Sequence, residues 1–201
     1  MSMPLPTPSH FLLQTIALNG GPGALPLIKN LTHGWSAGVH WICGDEGTGK
    51  TSLLRLLAGD LKAMSGSVSL PAGDVFWVDL QGGEHDQTTV QACWDALRPR
   101  CPRWNEALLQ DLAEAFDMDQ HRHKRLNMLS TGSRRKVTIT AALASGATVT
   151  LLDQPFVALD QASVRTIKSF LTEAATHPDR AWIVADYEAP DDLPLASIVH
   201  L

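Results

Sequence analysis

Residues 44–51, GDEGTGKT, constrain this chain more than any other stretch. They satisfy G-x-x-x-x-G-K-[ST] between an apolar run, Val39–Cys43, and a helical pattern, Thr51–Ala58. That context requires a strand that ends in a tight turn and a helix that starts from it. Gly44, Gly47 and Gly49 free the backbone so that successive N–H groups, those of Asp45, Glu46 and Thr48 among them, point inward. The helix that follows, opening Lys50-Thr51-Ser52, turns its positive end to the same place. Lys50 then reaches the β- and γ-phosphates of a nucleoside triphosphate, and Thr51 is placed to bind Mg²⁺.

Further apolar runs at Val75–Leu80, Val149–Leu152, Trp182–Ala185 and Ile198–Leu201 alternate with helical patterns such as Val164, Ile167, Leu171 and Ala174. The alternation predicts an α/β fold with a mostly parallel sheet. From about Thr89 to Leu129 there is no strand pattern, whereas Leu108, Leu112 and Phe116 share one helical face after Pro99 and Pro102. This stretch reads as a helical subdomain inserted into the sheet-forming chain. Asp153 ends one of the apolar runs, where its carboxylate approaches the same magnesium as Thr51.

At 201 residues the chain reads as a single domain, and 44% hydrophobic against 18% charged residues excludes disorder. A net charge of −5 supplies no general attraction to nucleic acid. The uncharged run Val137–Leu152 is 16 residues, shorter than the roughly 20 a bilayer needs. Residues 1–10, MSMPLPTPSH, lack the basic and apolar segments of a secretion signal and read as a flexible lead on a cytoplasmic protein. Three cysteines without metal spacing predict reduced thiols, and His121 with His123 does not close a zinc site.

Three more stretches narrow the nucleotide reading. Leu129–Lys136, LSTGSRRK, resembles the LSGGQ signature of ATP-binding-cassette (ABC) ATPases, with Ser130 and Gly132 matching and Thr131 and Ser133 departing. Gln81 matches that family's Q-loop glutamine, and Ala158-Leu159-Asp160 its D-loop. The resemblance spans most of the chain and implies a P-loop NTPase core of ABC type with an inserted helical subdomain and a reduced antiparallel β part. It also implies ATP and Mg²⁺ as cofactors, with Gln81 joining Thr51 and Asp153 around the metal. ATP would be sandwiched between the phosphate loop of one subunit and Ser130–Ser133 of another, in a homodimer or a heterodimer with a second cassette. The wording LLDQPFVALD is similar to small export-type cassettes, including haem-exporter subunits of cytochrome c maturation.

The chain departs from the family at two catalytic positions. Gln154 follows Asp153 where the family carries a glutamate that polarises the attacking water, and Tyr187 stands where a switch histidine is usual. An amide orients water but accepts no proton near neutral pH, and tyrosine brings no positive charge. Slow hydrolysis is therefore expected unless Glu84, Asp86 or Asp160 substitutes as base. The aromatic residue that stacks on adenine in the family has no counterpart between Leu12 and Gly34.

By resemblance the chain is the ATP-binding subunit of a transporter, peripheral at the inner membrane face through an integral membrane partner. Trp94 and Trp104 then read either as anchors for that partner or as core residues of the insert. The competing reading is a soluble nucleotide switch acting on a protein partner, which the loss of a base at Gln154 favours.

Overall fold

A computed structural model describes residues 11–70 and 73–201. The expected flexible lead, residues 1–10, lies outside the described residues. Among the described residues, eight strands fall into two sheets. The larger is parallel, in the order β5 (Val75–Phe76), β6 (Val149–Asp153), β7 (Ala181–Asp186), β3 (Gly38–Cys43), β8 (Ser197–His200). The smaller is antiparallel, with β1 (Leu13–Gly20) between β2 (Ile28–Trp35) and β4 (Ser65–Ser69).

All six residues of β3 are buried because helices cover both faces of the parallel sheet. Successive residues serve opposite layers. Trp41 packs with the inserted helices, while its neighbour Ile42 packs with Leu53 and Leu54 of α1 (Lys50–Leu57) and with Leu13 and Trp35 of the antiparallel sheet. The first layer contains α2 (Val90–Leu97), α3 (Glu106–Ala115), α4 (Thr131–Ala144) and α5 (Gln161–Ala174). Thr89 caps α2 by accepting from Ala92 N–H at 3.2 Å, and Asn105 caps α3 by accepting from Leu108 N–H at 3.0 Å.

The expected strand Val75–Leu80 is cut short after Phe76. Among the described residues, edge strand β5 pairs only with β6, through Val75↔Val149 and Phe76↔Thr150. Beyond that point the chain swings toward α4, where the Leu80 carbonyl accepts from Arg134. Trp94 is core: it is fully buried and its Nε1 donates to the Val137 carbonyl at 3.0 Å, so it anchors no partner. Trp104 is partly buried and donates to Glu106 at 3.1 Å. The three cysteines are unbridged and buried, and burial pushes each thiol above its usual range.

A histidine pair joins the two sheets. His40 on β3 donates through Nε2 to the Ser36 carbonyl at 2.9 Å, which leaves Nδ1 to accept from the Ser197 hydroxyl at 2.7 Å. His33 on β2 completes the chain by donating to Ser197 Oγ at 3.1 Å. Among the described residues no helix is long and apolar enough to cross a membrane, and no group of three metal-ligating side chains forms.

Candidate functional site

The phosphate loop runs from the end of β3 into α1, as its sequence requires. Gly47 has φ of +80° with open space where a Cβ would sit, so backbone conformation alone demands glycine there. Gly49, at φ of +106°, precedes α1 and is crowded as well, with Leu27 3.1 Å from the place of a Cβ. Leu27, half exposed, is thus the side chain that borders the loop on the segment where no aromatic was found. Asp45, Glu46 and Gly47 are exposed, Thr48 donates to the Asp45 carbonyl at 3.0 Å, and Ser52 lies half-buried in α1.

Lys50 is 5% exposed, and its ammonium is held over the loop by Gly44 O at 2.6 Å and Asp45 O at 2.8 Å. It also lies 4.7 Å from the centre of the Tyr187 ring, a cation–π contact. The Tyr187 carbonyl accepts from Gly44 N–H at 3.3 Å, so this residue braces the start of the loop with its backbone and the lysine with its ring. Before it, Asp186 accepts from Tyr187 N–H at 2.8 Å, and burial raises its carboxyl above the usual range.

Sheet register carries Asp153 to the same place. Ile42 pairs with Ala185, and Ala185 with Asp153, which aligns the carboxyl ends of β3, β7 and β6. Thr51 Oγ1 donates to Asp153 Oδ2 at 2.6 Å. Burial pushes the Asp153 carboxyl up, against the opposing effects of Thr51, Arg135 and Lys50. Its second oxygen, Oδ1, is buried and has no hydrogen-bond partner among the described residues. A hydroxyl, a carboxylate and an orphaned carboxylate oxygen form an oxygen donor set suited to a hard divalent cation, whose charge would offset the burial. The residues therefore fit magnesium beside a triphosphate.

Gln154 adopts φ of +44°, a left-handed conformation that strains a residue with a side chain by about 1–2 kcal/mol. Two anchors hold it: its N–H donates to Ala185 O at 2.8 Å, and Arg135 donates to its carbonyl and to that of Asp153. Gln154, Asp153, Arg135 and Gln81 line one cleft of about 130 Å³. Gln81 is exposed, and its N–H donates to Asp79 at 2.8 Å.

The signature residues stand apart from this group. Ser130 caps α4 by accepting from Ser133 N–H at 3.1 Å, and the two hydroxyls are 3.0 Å apart. Ser130 and Thr131 are exposed, and among the described residues no hydrogen bond joins residues 130–133 to the phosphate loop. Gly132 is buried against the D-loop, where a Cβ would lie 2.2 Å from the Ala158 carbonyl oxygen. Asp160 caps α5 through Ser163 N–H at 2.8 Å and pairs with Lys136 at 2.7 Å, and that lysine first of all holds its carboxyl far below the usual range.

Two of the three acids considered as replacement bases are thus engaged, Asp160 by Lys136 and Asp86 by Arg134 at 2.5 Å. Glu84 lies 3.7 Å from His85. The residues that sequence reasoning passed over are Arg134, Arg135 and Lys136. Their only signal was a run of three cations directly after the signature.

A family model described as ABC transporter matches residues 30–157. The cytochrome c biogenesis ATP-binding export protein CcmA of Nitrobacter winogradskyi is 36% identical over 143 residues, covering 65% of this chain and 69% of that protein. The glucosylceramide transporter ABCA12 of Mus musculus is 27% identical over 82% of this chain, which spans only 7% of that protein's length. Among solved structures, an ABC transporter ATP-binding protein from Pyrococcus furiosus superposes with a TM-score of 0.73 at 21% identity, covering 94% of this chain and 96% of the other.

Proposed function

This chain belongs to the ABC transporter family of ATP-binding domains, and from that premise we propose that it is an ATP-binding subunit acting on a separate integral membrane subunit. The observation that carries the proposal is the convergence of the glycine loop, Lys50, and the Thr51–Asp153 pair at the carboxyl ends of β3 and β6. In this reading Lys50 would neutralise phosphate charge, and Thr51, Asp153 and Gln81 would hold a magnesium ion that offsets the rest. The loop N–H groups orient the phosphates, and Tyr187 limits where Lys50 swings.

The exposure of Ser130 and Thr131, away from their own phosphate loop, supports a head-to-tail pair in which they face the loop of a second cassette, identical or not. Gln154 lacks a proton-accepting group, so hydrolysis in a homodimer is slow. A groove of about 660 Å³ between the phosphate core and the insert, bordered by Trp77, Leu80, His85 and Leu97, is suited to receive an element of the membrane partner. The protein would then work at the cytoplasmic face of the membrane, without nucleic acid.

Calorimetric titration with MgATP tests the proposal: the wild type binds, and Lys50→Ala loses affinity about 10-fold or more. Equal binding by both overturns it. A soluble nucleotide switch is the second reading, favoured by Gln154. Recovery from membranes together with an integral protein supports the transporter subunit, and recovery only as a soluble dimer supports the switch.

A further inference from the structure

The run Arg134-Arg135-Lys136 sits in the first turns of α4, directly after the signature, and each cation reaches a different loop. Arg134, with a side chain 11% exposed, donates to Leu80 O, to Gly82 O at 2.5 Å and to Asp86 Oδ1 at 2.5 Å. Arg135 donates to the carbonyls of Asp153 and Gln154. Lys136 donates to Asp160 at 2.7 Å and to Phe116 O at 3.2 Å. Between them, Gly132 lies flush against Ala158 O. Successive residues on a helix point about 100° apart, so three neighbours reach three directions from one rigid body.

We propose that Arg134, Arg135 and Lys136 make the start of α4 a hub that locks the loops around Gln81, Gln154 and Asp160 to the signature, so that all four shift as one unit. These are positioning residues: none of them needs to touch nucleotide. Charged donors of this kind form the strong class of hydrogen bond, and Arg134 in particular uses the whole guanidinium fork, which a lysine does not reproduce. The functional consequence rests on the reading above. A partner seated in the groove beside Leu80 and His85 would displace Ser130 and Gln154 together with residues 80–86, without any path through the phosphate loop. The coupling itself is a property of the chain alone, so its test needs no nucleotide and stands or falls separately from ATP binding.

The experiment is peptide-resolved amide hydrogen exchange on the full chain without nucleotide, for the wild type, Arg134→Ala, Arg134→Lys, Lys136→Arg and Asp86→Asn. Arg134→Ala is expected to speed exchange roughly 10-fold or more in residues 80–86 and also in 130–134 and 153–160. Arg134→Lys should resemble Arg134→Ala, whereas Lys136→Arg, which keeps a charged donor for Asp160 and the Phe116 carbonyl, should match the wild type. Asp86→Asn removes the anion from the opposite side while leaving both carbonyl acceptors, and so reports the same propagation where Arg134→Ala does not fold. Acceleration confined to 80–86 overturns the proposal, since the loops would then be tied separately. Uniform acceleration that includes β3 overturns it too, as a global loss of stability.

Discussion

The Thr51 hydroxyl donates to Asp153 Oδ2 across 2.6 Å and so joins the first turn of α1 to the end of β6. The bond satisfies one carboxylate oxygen and leaves the other buried without a partner among the described residues. This arrangement holds a charge where burial disfavours it, and it sets function against stability.

Asp153→Asn should therefore stabilise the protein in the absence of nucleotide. Burial raises the folded-state value of this carboxyl above its ordinary 3.8, so its favourable contribution is present below that value and lost as pH rises through the folded value. At neutral pH the charge is a net cost. Thermal melts should show the variant roughly 2–4 °C more stable near pH 7, with the difference vanishing in acid, while magnesium-dependent ATP binding falls. A variant less stable than the wild type at neutral pH contradicts the account.

Gln154→Glu restores a proton acceptor beside Asp153 in the cleft shared with Gln81. Steady-state phosphate release should rise about 100-fold or more. An unchanged rate would mean that another group already accepts the proton.

Gly132→Ala separates packing from helix propensity. Inside a helix this change ordinarily stabilises by about 0.5–1 kcal/mol. Here the added methyl would lie 2.2 Å from Ala158 O, so the D-loop must move and the sign reverses. A urea melt should show a loss of about 1–3 kcal/mol.

His40→Gln tests the link between the sheets. Burial holds both His33 and His40 below 6.5, and His40 also accepts from the Ser197 hydroxyl through Nδ1, which only the neutral ring can do. Groups depressed in this way contribute stability above 6.5 that is lost as pH falls toward the folded values, because the unfolded chain takes up protons first. Between about pH 7 and 5.5 the wild type should lose stability more steeply than the variant. Parallel curves would exclude His40 as a source of the slope.

The phosphate loop was legible because its chemistry is written in eight adjacent residues, and Asp153 and Gln154 because they end a run of β-branched and aliphatic side chains. The antiparallel sheet was expected only as part of a resemblance. Its strands carry no clear alternation: β1 shifts register against both neighbours, and β4 reads SGSVS. Trp77–Leu80 look like strand but serve a cleft, since among the described residues nothing pairs with β5 beyond Phe76. The contacts of Arg134 were invisible for another reason. Its partners lie 48 to 54 positions away, and no local pattern records a bond of that span.

The buried cysteines turn this protein into a convenient chemical blank. With Cys43, Cys93 and Cys101 all enclosed and held as protonated thiols, a maleimide or a spin label finds no native target in the folded state. A single cysteine introduced at exposed Thr131 would react alone, and a second at exposed Glu46 would give a cross-link only if the signature of one molecule meets the phosphate loop of another. The geometry of the pair can thus be read on a denaturing gel, with no native cysteine removed.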